Sequence, residues 1–135
     1  MANYSVENQW GGDTAPWHPG GTWVLGNRPN QNPVAFDISS SDGGKTLTGT
    51  MTYAGEGPIG FKGTNIGGNN YSVKNQWGGS NAPWNDGGTF TIGGRDNQRV
   101  IRLQVSSSDG GKSFLDHTGM TYEGEGPIGF KAQLS

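Results

Sequence analysis

Three kinds of side chain occur twice in this chain in settings where they could meet a ligand. Trp10 is followed by Gly11-Gly12, and Trp77 by Gly78-Gly79. Arg28 and Arg95 stand at equivalent places, as do Glu56-Gly57 and Glu125-Gly126. An indole offers a flat apolar surface on which the C–H face of a pyranose can lie. Glycines beside it expose backbone N–H and C=O groups with no Cβ in the way. Arginine donates in a fixed fork and glutamate accepts on two oxygens, so together they can read adjacent hydroxyls. The set therefore suits a neutral, hydroxyl-rich ligand, and it needs neither metal nor cofactor. A purely structural alternative has Trp10 and Trp77 plugging a barrel, glycines supplying positive φ, and Arg pairing with Glu.

Other chemistries fit less well. A glycoside hydrolase, for instance one acting on a mannan-type polysaccharide through Glu56 and Glu125, needs two carboxyls about 5–10 Å apart across one bond. Each copy supplies a single repeated Glu; Asp42 and Asp109 sit in Ser-Asp-Gly-Gly, a turn composition, and Ala54 stands where the second copy has Glu123. No catalytic residue is expected. Residues 55–60 and 124–129 fit G-x-G-x-x-G, but Pro58 removes an N–H and Ile59-Gly60-Phe61 continues as a strand, where a dinucleotide site needs a helix. His18 and His117 are not equivalent and have no ligand partner at metal spacing, so they read as surface or loop histidines. No His is duplicated with a Ser or Thr, and the sequons at Asn3 and Asn70 read as incidental.

The elements that must hold these residues come in two tandem copies. Tyr-Ser-Val-Glu-Asn-Gln-Trp-Gly-Gly from Tyr4 returns at Tyr71 as Tyr-Ser-Val-Lys-Asn-Gln-Trp-Gly-Gly. Ala15-Pro16-Trp17 returns at Ala82, Met51-Thr52-Tyr53 at Met120, and Gly-Glu-Gly-Pro-Ile-Gly-Phe-Lys appears at both 55–62 and 124–131. The spacing lengthens by two residues between Ser113 and Gly119, either inside a strand or in a hairpin loop. Two copies are too few for a solenoid. The expectation is one domain over 1–135, with repeat one at about 1–67 and repeat two at about 68–135. Val34, Phe36 and Ile38, and likewise Ile101, Leu103 and Val105, alternate with smaller or polar residues, which is the strand period. Clusters such as Gly11-Gly12-Asp13, Pro19-Gly20-Gly21 and Asp42-Gly43-Gly44 read as turns. About five short strands per copy, about ten in all and joined by tight turns, predict an all-β antiparallel fold, either a closed barrel, which would have no free edge, or a sandwich.

Composition excludes several classes. Glycine and proline make up about a quarter of the chain (26 and seven of 135), against roughly 7% and 5% in ordinary proteins. Five Trp, five Phe and four Tyr argue against disorder. There is no Cys, hence no disulfide or thiolate site, and a net charge of −2 lacks the basic excess of a nucleic-acid binder. No apolar run approaches a membrane span, and the first residues show neither a basic nor an apolar signal region. The expectation is a soluble, monomeric microbial protein of open compartment.

These long duplicated motifs, Asn-Gln-Trp-Gly-Gly, Ala-Pro-Trp, Met-Thr-Tyr and Gly-Glu-Gly-Pro-Ile-Gly-Phe-Lys, closely resemble those of the Oscillatoria agardhii agglutinin homologue family of lectins, over essentially residues 3–131. The resemblance implies a compact ten-stranded barrel and metal-independent recognition of the branched oligomannose core of high-mannose N-glycans, including those on viral envelope glycoproteins. It further implies two sites at opposite ends, each drawn from both repeats. One is Trp10, Gly11, Gly12, Arg95, Glu125 and Gly126; the other is Trp77, Gly78, Gly79, Arg28, Glu56 and Gly57. The two-residue insertion and Glu123 both fall in the repeat that supplies Glu125, which predicts a weaker or altered Trp10 site. Pro29 restricts Arg28 to extended backbone angles.

Overall fold

The computed structural model describes residues 2–25, 31–92 and 98–135. Ten strands run β1 (Ala2–Gln9), β2 (Trp17–Leu25), β3 (Pro33–Ser39), β4 (Thr46–Tyr53), β5 (Pro58–Gly67), β6 (Asn70–Gln76), β7 (Trp84–Ile92), β8 (Val100–Ser106), β9 (Ser113–Tyr122) and β10 (Pro127–Leu134). All pairings are antiparallel, and the ladder closes in the order β1-β10-β9-β8-β3-β4-β5-β6-β7-β2. The two copies are thereby interleaved. The β1–β2 hairpin of copy one pairs with β10 of copy two, while β6–β7 of copy two pairs with β5 of copy one. β2 and β7 then close the barrel at Trp23↔Phe90.

The interior is filled by one side of each strand. Tyr4, Val6, Trp23, Phe36, Ile38, Leu47, Met51, Phe61, Tyr71, Phe90, Leu103, Phe114 and Phe130 are all buried. Trp23 sits among aromatics, with ring centroids 5.0 Å from both Phe36 and Phe130 and 6.3 Å from Phe90. Edge-to-face packing suits the ring quadrupole and lets Trp in one copy face Phe in the other. The hydroxyls of Tyr4 and Tyr71 each reach a glycine carbonyl, Gly111 and Gly44, at 2.5 Å. Each tyrosine thus ties a hairpin turn to the core.

Four β-bulges bear on the sequence expectation. Val34 and Ile101 are only half-buried, and Pro33 and Val100 take the inward position. The ladders skip one residue between Pro33 and Ala35 and between Val100 and Arg102, so strict alternation misplaces Val34 and Ile101. Pro19-Gly20-Gly21 is not a turn but lies within β2, where the ladder shifts between Val6 and Glu7. Gly21 has φ +110°, and a Cβ there would stand 2.2 Å from the Thr91 carbonyl oxygen, so only glycine fits. The fourth bulge resolves where the insertion goes. Ile128 faces Met120 but Phe130 faces Asp116, so Gly129 alone opposes residues 117–119 of β9. The equivalent β4–β5 ladder runs without a shift.

Candidate functional site

Strand direction assigns the loops to ends. β1 and β9 run the same way, so loops 10–16 and 123–126 share one end of the barrel; loops 77–83 and 54–57 share the other. At the first end Gln9 pairs with Gly129, which brings Trp10 beside the start of β10. A cavity of about 170 Å³ opens there, lined by Gln9, Trp10, Gly11, Gly12, Asp13, His117, Pro127 and Ile128. At the second end Gln76 pairs with Gly60, placing Trp77 beside the start of β5 in the same way. Trp10 thus neighbours the Glu125 turn and Trp77 the Glu56 turn, the crossed grouping that the resemblance implies. Arg28 and Arg95 lie outside the described residues.

Each feature has a local cause. In the Trp loops, Gln9 Nε2 donates to the carbonyls of Asp13 and Ala15, and Gln76 Nε2 to those of Ser80 and Ala82. Ala15 N–H closes the turn on Gly12 O and Ala82 N–H on Gly79 O, both at 3.1 Å. The Gln of Asn-Gln-Trp-Gly-Gly therefore clips its own loop and leaves the indole outward. Trp10 is 40% exposed and Trp77 43%, so neither plugs the barrel. Trp10 stacks on His18 with centroids 4.1 Å apart and planes 13° from parallel. Trp17 and Trp84, of Ala-Pro-Trp, play another part: each indole lies under a lysine ammonium, Lys131 at 4.4 Å and Lys62 at 4.5 Å, a cation–π contact across the hairpin boundary.

The Glu turns are hydrogen-bonded four-residue turns, from Glu56 N–H to Tyr53 O and from Glu125 N–H to Tyr122 O. Gly55 and Gly124, both at φ +80°, supply the positive φ of a type II turn. That requirement, followed by a proline opening a strand, produces the G-x-G-x-x-G match with no dinucleotide behind it. Two residues missed in the sequence reading hold the carboxylates. Gln31 Nε2 donates to Ala54 O and to Glu56 Oε2 at 3.1 Å; Gln98 Nε2 donates to Glu123 O and to Glu125 Oε2 at 2.9 Å. Their signal was available, since both sit three residues after the repeated arginines.

Gly57 and Gly126 differ from the turn glycines beside them. Neither has a positive φ, and a Cβ on either would meet nothing within 4 Å. Neither a positive φ nor a crowded neighbour calls for glycine at these two places, and each leaves open space above the turn.

His117 is the second surprise. It rides the β9 bulge into the wall of the Trp10 cavity, with Nδ1 3.3 Å from Gln9 Oε1 and 3.6 Å from Asp13 Oδ1. Sequence spacing hid this, because Asp13 and His117 are far apart along the chain. No group of three or more metal-ligating side chains occurs among the described residues. Glu56 and Glu125, at opposite ends, cannot flank one glycosidic bond.

The family model for the OAA-family lectin sugar binding domain matches twice, at residues 2–66 and 69–135. The chain belongs to the OAA lectin family. Lectin SfL-1 of Solieria filiformis is 66% identical over 96% of this chain, which spans only 48% of that lectin's length. Lectin OAA of Planktothrix agardhii is 58% identical, with 96% of this chain and 97% of that lectin covered. Among solved structures, the Pseudomonas fluorescens agglutinin aligns with TM-score 0.87 at 65% identity, over 98% of this chain and 99% of that one. The Myxococcus xanthus hemagglutinin in complex with α3,α6-mannopentaose aligns with TM-score 0.86 at 62% identity, over 99% of this chain and 50% of that one. These OAA-family relatives are lectins and agglutinins, a non-enzymatic family, which sets aside the hydrolase alternative. Among the described residues no helix is long and apolar enough to cross a membrane.

Proposed function

We propose that the chain acts as one domain that binds the branched oligomannose core of high-mannose N-glycans at two sites. The first is Trp10, Gly11, Gly12, Arg95, Glu125 and Gly126; the second is Trp77, Gly78, Gly79, Arg28, Glu56 and Gly57. The carrying observation is the exposed Trp-Gly-Gly loop that recurs at each end of the barrel beside a Glu-Gly turn with empty space over its glycine. The mannopentaose held by the Myxococcus xanthus hemagglutinin supplies the ligand class. In this reading the indole takes the C–H face of a mannose ring, the backbone of the paired glycines meets its hydroxyls, and the Gln-held carboxylate accepts from two of them. Nothing in the scheme calls for a metal. Two outward-facing sites on one rigid body would cross-link glycoproteins, viral envelope glycoproteins among them, and gain avidity on dense glycan surfaces.

Calorimetric titration with α3,α6-mannopentaose in the presence of a chelator tests the reading. The expected result is saturation at two ligands per chain in roughly the μM to mM range, with both Trp10 and Trp77 indole N–H signals moving in NMR. Absence of binding, or binding that leaves both indoles unmoved, would overturn it.

A further inference from the structure

Both histidines of the chain stand at the Trp10 end, and one of them is there because of the two inserted residues. Asn85 occupies the place of His18 in copy two, and the unbulged β4 has no counterpart of His117. The bulge is a built feature. Asp116 Oδ1 accepts from the Thr118 N–H at 2.9 Å and from its hydroxyl at 3.2 Å. Gly119 lets the chain press onto β8, where a Cβ would meet Val105 Cγ1 at 2.6 Å. The outcome is an imidazole half-exposed on the wall of the cavity that Trp10, Gly11 and Gly12 line.

The neighbours of that ring fix which edge faces a ligand. Gln9 Nε2 is committed to two loop carbonyls, so Gln9 turns its oxygen toward His117. The Asp13 carboxylate is the other neighbour of Nδ1. Both are acceptors, so in the neutral ring Nδ1 carries the proton and Nε2 keeps the lone pair. A sugar hydroxyl entering the cavity then meets an imidazole acceptor, and both imidazoles of the chain stand at this end.

We propose that His117 is a specificity-determining residue of the Trp10 site, contacting a glycan hydroxyl through Nε2 and making the two ends of the barrel non-equivalent. The inference rests on the lectin reading above and commits the altered site to a gained contact.

Site-resolved NMR titration with α3,α6-mannopentaose, following the Trp10 and Trp77 indole N–H signals, tests it in three proteins: the wild type, His117→Ala, and a chain whose residues 116–119 are replaced by the Gly-Thr pair of positions 49–50. Gly49 pairs with Phe61 in the place that Asp116 takes opposite Phe130, so that replacement restores the regular ladder. One neutral hydrogen bond corresponds to a loss of about three- to tenfold in affinity at the Trp10 site in both variants. The Trp77 site should not change, which also reports that the barrel is folded. Unchanged or increased Trp10-site affinity in His117→Ala, with both sites binding, would overturn the proposal. Silence at both indoles in the wild type would overturn the lectin reading, and this inference with it.

Discussion

At the scale of the residue, the most informative positions are those where glycine has no structural cause. Gly57 and Gly126 precede prolines, which favours extended backbone angles that alanine also adopts, and nothing stands near a Cβ on either. Gly126→Ala should therefore change unfolding free energy by less than about 0.5 kcal/mol in a denaturant titration. The same methyl group should weaken mannopentaose binding at the Trp10 site several-fold. A loss of stability without a loss of binding would return Gly126 to a structural role. Tyr4 makes the opposite case. Its hydroxyl donates to the Gly111 carbonyl, and burial pushes its pKa up to about 12. Tyr4→Phe leaves that carbonyl unpaired and should cost about 1–3 kcal/mol of stability with glycan affinity unchanged. Because the folded pKa is raised, this contribution is complete below the ordinary tyrosine value near 10 and is lost as pH rises from there through about 12.

At the scale of the element, the hairpin turns are held by polar locks rather than by apolar burial. Asp42 accepts from Ser40 Oγ at 2.7 Å, from the Thr46 N–H at 2.9 Å and from the Thr46 hydroxyl; Asp109 repeats the arrangement with Ser107 and Ser113. These donors hold both carboxyls well below the usual carboxylate range, the Thr46 hydroxyl foremost for Asp42 and the Ser107 hydroxyl for Asp109. A lowered folded pKa means stability that is present above about pH 4, the unfolded value, and lost as pH falls below it. Thermal melts between pH 7 and pH 2 should show this loss, and Asp42→Asn with Asp109→Asn should flatten its acid side. A melt whose acid slope survives both substitutions would place the titrating groups elsewhere. The same scale shows what periodicity misses. One-residue bulges at Val34, Ile101 and Gly20 shift parity within strands that are otherwise regular, the two extra residues at 117–119 keep parity but break the ladder, and a pattern of alternation has no term for either.

At the scale of the whole molecule, interleaving brings loops of the two copies together at each end of the barrel. Each Trp loop shares an end with the Glu turn of the other copy, because β1 pairs with β10 and β6 with β5. Glu125→Gln should therefore impair the Trp10 site and spare the Trp77 site, and Glu56→Gln should do the reverse, as followed by the two indole signals. Impairment within a copy instead of across copies would refute the shared site. Either substitution should leave a chain that still binds mannopentaose at one end but no longer agglutinates high-mannose glycoprotein, since cross-linking needs both ends. A neutral ligand also implies affinity that changes little between low and high salt, unlike binding carried by phosphate contacts.

The sequence alone carried the duplication and the strand-and-turn pattern, because long motifs written twice show both copies at once; the ten-strand barrel and the crossed grouping of the proposed Trp, Gly and Glu residues came with the family resemblance. The sequence also carried the family, later matched over both halves of the chain. Left to the tertiary structure were the location of the two inserted residues, the Gln31 and Gln98 clamps, and the approach of His117 to Asp13. Those depend on which strands pair and where a ladder slips, and pairing between distant segments is decided by closing the barrel around a shared core rather than by any local pattern.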